Sequence, residues 1–243
     1  MTGLGEIRAS SIITLYLPMV AKSTACPVLT ETYGTVSPIS APTDRPAELH
    51  ADLNLSLRGY TSTTAYLGLV DYGGETDPLA PQLPGLFVDN RTAIFWKNYQ
   101  VYGWDWTCNC RTLPITDYPV TLAGLLVTPT ETIRLPSWGY NIGHQPSEYA
   151  AMVLYASTNR ITLTFTRNDN VVQGYALHLE NICVEPRLLA LYQSLNAAGR
   201  KQLPAINAGQ GIGTALNNEL GVAIRDTGSF MDPRSRKDWW QGR

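Results

Sequence analysis

"RITLTFTRNDNVVQGYALHL", residues 160 to 179, alternates apolar and polar side chains on both sides of a polar centre. Period-two alternation puts every second side chain on one face, so each half reads as a half-buried β-strand. Asn168, Asp169 and Asn170 supply a tight turn between the halves, because Asn and Asp tolerate turn conformations and bond their own backbone. The same texture extends outward. "ADLNLSLRGY" (51–60), "AYLGLVDY" (65–72), "GLFVDN" (85–90) and "AIFWKNYQVY" (93–102) are predicted strands upstream, punctuated by Gly, Pro and Asp. "VTLAGLLV" (120–127), "ETIRLP" (131–136) and "YAAMVLYAS" (149–157) continue the series. One segment departs from it: residues 186–200 place Leu188, Leu191, Tyr192 and Leu195 at helical spacing between Pro186 and Gly199. The sequence therefore predicts a mainly β fold, a β-sandwich or packed antiparallel sheets with one inserted α-helix. Residues 1–48 read as an N-terminal arm, 49–119 as a β-rich part and 120–243 as a second β domain ending in a Trp-rich tail.

A chain of 243 residues can bury a sizeable core without obligatory staples. Charged residues are 16% and the net charge is -2, with Lys and Arg scattered, so the basic footprint of a nucleic-acid binder is missing. Thirteen Tyr and six Trp outnumber four Phe. Rings with a polar edge suit wet, partly exposed surfaces, which fits a carbohydrate-facing secreted protein as well as ordinary strands. The cysteines are Cys26, Cys108, Cys110 and Cys183. Cys108 and Cys110 are too close in sequence for an easy bridge, so each is expected to reach outward, to Cys26 and Cys183 in either order. Zinc is the rival reading, but the usual Cys-x2-Cys spacing and a second ligand pair are absent. "SIITLYLPMVA" (11–21) is too short to span a bilayer and resembles the end of an export signal. Secretion, or placement on the cell surface, is the expected location, with no transmembrane segment.

The densest chemistry is "QVYGWDWTCNCR", residues 100 to 111. On one strand Trp96, Tyr102, Trp104 and Trp106 share a side. That side is either the inner wall of a sandwich or a ladder that stacks on sugar rings, and Asn98 and Gln100 beside the rings speak for the ladder. A bulge at Gly103 would split it. Asp105, between two tryptophans, is the carboxylate whose pKa is expected to rise. A glycoside hydrolase needs a second one at a set separation. Asp71, Glu75, Asp77, Asp89, Glu180 and Glu219 are the candidates, and their spacing selects none. No Gly-x-Ser-x-Gly elbow occurs, and "GGETD" and "AGQGIG" lack the Lys of a phosphate loop and read as turns. The histidines His50, His144 and His178 are far apart, and "HADLN" at 50–54 offers donors on one strand face. In the tail, Arg234, Arg236, Lys237 and Arg243 surround Trp239 and Trp240, a run that docks on an anionic surface or covers a sheet edge.

Four pieces of residues 120–233 carry a resemblance: "AGLLVTPTETIRLP" (123–136), "ITLTFTRNDNVVQGYALHLENICVEP" (161–186), "INAGQGIGTA" (206–215) and "NELGVAIRDTGSFMDP" (218–233). In this order they resemble the lysostaphin-type (LytM-like) zinc endopeptidase domain, a β-sheet fold that cuts peptide cross-links in bacterial cell walls. The glycine turn at 209–213 is the most specific piece. The positions matching the family's zinc ligands read Leu122, Leu126 and Gly221, and the first His of its closing pair reads Glu219. None of the three ligand positions offers nitrogen, oxygen or thiolate to a metal, so the resemblance implies a degenerate peptidase without metal or other cofactor. Only His178, matching the family's non-ligating histidine, is retained, although Tyr175 sits one residue further from it than the family motif requires.

The leading expectation is a secreted bacterial protein that binds polysaccharide or peptidoglycan through Trp96, Tyr102, Trp104 and Trp106 and the groove residues His178 and Glu219, in a groove where peptidase chemistry has been lost. A metal-independent glycan hydrolase using Asp105, Glu219 and His178 is the alternative. A structural surface module that assembles through its tail is the third.

Overall fold

The computed structural model describes Met1 and residues 26–137, 141–142 and 149–243. The apolar run at 11–21 and His144 lie outside the described residues. The strands are β1 (Gly34–Val36), β2 (Tyr60–Ser62), β3 (Ile94–Asp105), β4 (Cys110–Pro114), β5 (Leu122–Leu126), β6 (Thr132–Arg134), β7 (Ala151–Ser157), β8 (Arg160–Thr164), β9 (Tyr175–Glu180), β10 (Ile182–Val184), β11 (Leu203–Ile206), β12 (Gly211–Ala215), β13 (Glu219–Asp226) and β14 (Ser229–Met231). Three helices accompany them: α1 (Leu55–Arg58), α2 (Pro186–Ala197) and α3 (Arg236–Trp239). An eleven-stranded sheet runs β1-β11-β7-β8-β9-β13-β5-β3-β2, with β14 on β13 and β4 on β3, and a three-stranded sheet runs β10-β12-β6. The protein is mainly β with antiparallel ladders, as the alternation predicts.

The hairpin at 160–179 forms, with Arg160 opposite Glu180 and Thr164 opposite Ala176. Its connection is wide rather than tight, because Asp169 is drawn inward. The Asp169 carboxylate is buried and accepts Arg200 Nε at 2.8 Å, tying the loop to the chain just beyond α2. That helix starts where Pro186 lacks an N–H to lose, and the Glu185 side chain accepts from Leu188 N at 2.8 Å. Leu188 and Tyr192 bury its inner face.

Residues 51–60 correct the strand reading. Their alternation is real, but Asn54 caps α1 by accepting from Ser56 N, and Asn54 Nδ2 donates to Glu48 O at 2.8 Å. A cap that satisfies its backbone locally competes with a ladder. Residues 65–72 and 85–90 also form no strand beyond single bridges from Val70 to Ser235 and from Phe87 to Ile133.

The tail packs inward, on the covering side of its two readings. Trp239 and Trp240 are buried, with Nε1 atoms donating to Asp232 O and Pro233 O and rings meeting Tyr175 and Phe95 edge to face. Arg234 is held by Asp232 and Arg236 by Asp71. Both tail tryptophans thus fill the core.

The disulfides overturn the expected pairing. Cys26 bonds Cys183, and Cys108 bonds Cys110 across the tip of the β3–β4 hairpin. Asn109 between them adopts φ 53°, a left-handed turn Asn tolerates, which brings their Cα atoms to 5.3 Å. Both bridges are of the kind found in extracellular proteins. Among the described residues no helix is long and apolar enough to cross a membrane. Because a cross-link stabilises by restricting the unfolded chain, the Cys26–Cys183 bridge, spanning 157 residues, matters far more than its neighbour, spanning 2. Replacing Cys26 and Cys183 by Ala is expected to cost about 4 kcal/mol, and replacing Cys108 and Cys110 under about 2, as read by thermal unfolding.

Candidate functional site

Residues directly opposed in a ladder project to the same face. Lys97, Gly124, Gly221, Glu180 and Arg160 therefore form one row across β3, β5, β13, β9 and β8, and Ala223, His178 and Thr162 lie in the next. This face holds the positions where the resemblance places a metal. It is covered by α1: Leu55 packs into a cluster with Val101, Leu122, Ala223 and Phe230.

The cover is fastened by charge. Asp52 Oδ1 accepts Arg58 Nη2 at 2.6 Å and Arg225 Nη1 at 2.8 Å. Arg225 also donates to the Gly228 carbonyl, and Arg58 to those of Ala51 and Tyr102. Burial opposes ionisation of Asp52, but the two guanidiniums outweigh it and hold its pKa at about 2. His178 is 0% exposed and stacks on Phe230. Thr162 Oγ1 donates its single proton to Leu53 O, so His178 Nδ1 is the donor in its 3.0 Å bond to that hydroxyl. Burial, reinforced by Arg225, lowers the imidazole to about 3. His178 is thus a neutral core residue and is withdrawn from the contact and catalytic sets. Among the described residues no group of three or more His, Cys, Asp or Glu is arranged to hold a metal ion.

The two proposed carboxylates do not meet. Glu219 lies at the rim of the same face, accepting Tyr99 Oη at 2.6 Å and Lys97 Nζ at 2.8 Å, with its carboxylate against Gly124. Burial and this carboxylate raise the Tyr99 pKa. Asp105 sits at the far end of β3, at the exposed hairpin tip, where Oδ1 accepts Thr107 N at 2.7 Å. That backbone bond lowers its pKa, opposite to the expected rise. From Tyr99 to Asp105 the strand advances about 20 Å. Carboxylates acting across one glycosidic bond stand about 5–9.5 Å apart, so this pair does not form a hydrolase site.

The aromatic ladder is divided into two places. Register shifts occur between Phe95 and Lys97 and between Tyr102 and Trp104, the second at Gly103 as the sequence suggested. At the hairpin end Trp104 and Trp106 meet edge to face, Arg45 lies over the Trp106 ring at 4.8 Å, and His50 approaches its edge. Trp106 borders a cavity of about 360 Å³ but is already engaged by these protein groups. Tyr102 is half-buried beside them. Trp96, at the other end, stands in the first irregularity, 50% exposed. Among the described residues no ring or cation stacks on it. A cleft of about 280 Å³ lined by Ser62, Thr63 and Thr64 opens on one side, and one of about 250 Å³ lined by Asn217, Asn218 and Glu219 on the other. Sequence reading named Trp96 and Glu219 but missed the other neighbours. Their only signal is the pair of polar turns, "TSTT" and "NN", at strand ends.

No family model and no curated protein matches the chain.

The buried polar centre sets the acid response. Asp52 has a folded pKa below its unfolded value, so its contribution is present above about pH 4 and is lost as pH falls toward 2. His178 is also depressed, so the unfolded chain binds an extra proton between about pH 6.5 and 3, and stability falls through that window by at most about 1.4 kcal/mol per pH unit. Urea unfolding at pH 7, 5 and 4 is expected to show this slope and a flatter one in His178→Gln. Asp52→Asn, which leaves two buried guanidiniums without their counter-charge, is expected to cost about 3–5 kcal/mol at pH 7.

Proposed function

We propose that the protein is a secreted polysaccharide- or cell-wall-binding protein, built on a frame that resembles a lysostaphin-type peptidase and has no catalytic role for the covered face. The observation that supports this reading best is Trp96: a half-exposed indole, unclaimed by other rings among the described residues, fixed on a long strand between two clefts. An indole face offers an apolar plane to the C–H face of a pyranose, while hydroxyls and amides beside it bond the ring's equatorial hydroxyls. Thr63, Thr64, Asn217 and Asn218 supply such groups. The rigidity of β3, paired with β2 on one side and β5 on the other, keeps the platform organised before the ligand arrives.

The frame supports the peptidase-like part of the reading through register. Leu122 and Leu126 of β5 lie beside β13 with Gly124 facing Gly221, the neighbourhood a metal would occupy in the family. Here it holds leucines, glycines and the Glu219–Lys97 pair.

Retention on insoluble glycan is the test. Trp96→Ala is expected to weaken binding at least about ten-fold, equivalent to about 1.4 kcal/mol. Asp105→Asn, Trp104→Ala and Trp106→Ala are expected to leave it within about two-fold. Undiminished retention of the Trp96 variant in pull-down from cellulose, xylan, chitin and peptidoglycan would remove the proposal.

A further inference from the structure

Resting on the glycan reading, we infer that Trp96 is the middle of a trough that takes a linear, uncharged glycan along its length, with successive pyranose rings on both sides of the indole. Three clefts make the trough, and they share walls. The first, of about 280 Å³, runs from Ser62 to Trp96 and Lys97. The second, of about 250 Å³, has Trp96 and Lys97 as its near wall and Asn218 as its far one. Asn218 is also a wall of the third, of about 550 Å³, which continues past Ile94 to Arg91 and Thr128. The three clefts are therefore adjacent, with Trp96 and Lys97 between the first and second and Asn218 between the second and third.

Direction and spacing agree with a polymer. The first two clefts are lined from β2, β3 and the start of β13, with β5 lying between β3 and β13 in the sheet. Strands step about 4.8 Å apart, close to the length of one pyranose unit along a linear glycan. Leu67, Trp96 and Ile94, at 52%, 50% and 63% exposed, give each cleft an apolar surface for a ring face. Among the described residues none bonds the side chains of Thr63, Thr64 or Asn218, so their donors and acceptors are open to sugar hydroxyls.

Charge selects the class. The cations lining the clefts are already paired: Lys97 with Glu219 at 2.8 Å, and Arg91 with Asp89 at 3.0 Å and Glu131 at 2.6 Å. A polyanion such as a uronate polymer or a teichoic acid would meet three carboxylates and no uncommitted cation. A neutral glycan meets a balanced surface.

Calorimetric titration of the full chain with cello-, xylo- and chito-oligosaccharides of one, two, three and six rings tests this, with polygalacturonate as the anionic probe. For the series that binds, affinity is expected to rise at least ten-fold between one ring and three. Asn218→Ala and Thr64→Ala, on opposite sides of Trp96, are each expected to weaken the six-ring ligand several-fold more than the one-ring ligand. Polygalacturonate is expected to bind at least ten-fold more weakly than the best neutral hexamer. Equal affinity for one ring and six, still lost in Trp96→Ala, would overturn the trough and leave the platform standing. Tighter, salt-sensitive binding of polygalacturonate would overturn the choice of a neutral ligand. No binding of any series, with polygalacturonate also unbound, would overturn the trough and the glycan reading together.

Discussion

One carboxylate oxygen, Asp52 Oδ1, holds two guanidiniums from distant parts of the chain, and the placement of everything on that side of the sheet follows from it. Arg58 is carried by α1 and Arg225 by β13, so the shared oxygen fastens a helical turn to the central strand. An excess cation in such a place is costly, which is why each guanidinium also donates to backbone carbonyls. Once α1 is fastened, Leu55 closes an apolar cluster over the inner face, and His178 is left neutral beneath it. The surface available to a ligand shifts outward to the strand ends, where Trp96 and its flanking turns remain in contact with solvent.

The elements legible in the sequence are those whose signal is local. The alternation at 160–179 and the helical stripe at 188–195 each favour one secondary structure, and the structure follows both. The same period misleads at 51–60, because Asn54 and Asp52 find partners that alternation does not encode: a cap within the segment and arginines on α1 and β13. The Trp-rich tail is a comparable case. Basic residues around two tryptophans look like a surface signal, yet Asp232 and Asp71 neutralise Arg234 and Arg236, and the indole N–H groups find carbonyls within the turn.

The candidate site was legible in part, for a similar reason. Trp96 is visible as an aromatic on a strand, but a uniform register would have given it three companions. Two irregularities in β3 redirect the side chains, and cross-strand pairing sets irregularities of this kind. Asp105 illustrates the limit of arguing a pKa from sequence neighbours. Flanking indoles suggest desolvation, whereas at a hairpin tip the nearest partner is a backbone N–H two residues on, and it favours the charged form.

The small bridge at the hairpin tip bears on how the larger one comes to be made correctly. Four cysteines allow three pairings, and in order of synthesis Cys26 meets Cys108 and Cys110 long before Cys183. If Cys108 and Cys110 close on each other as the β3–β4 hairpin forms, both early competitors are removed from exchange. Cys26 then has a single remaining partner, and oxidation has only the native outcome left. In that order of closure, a cross-link that contributes little to the finished fold would guard its assembly by taking two thiols out of circulation.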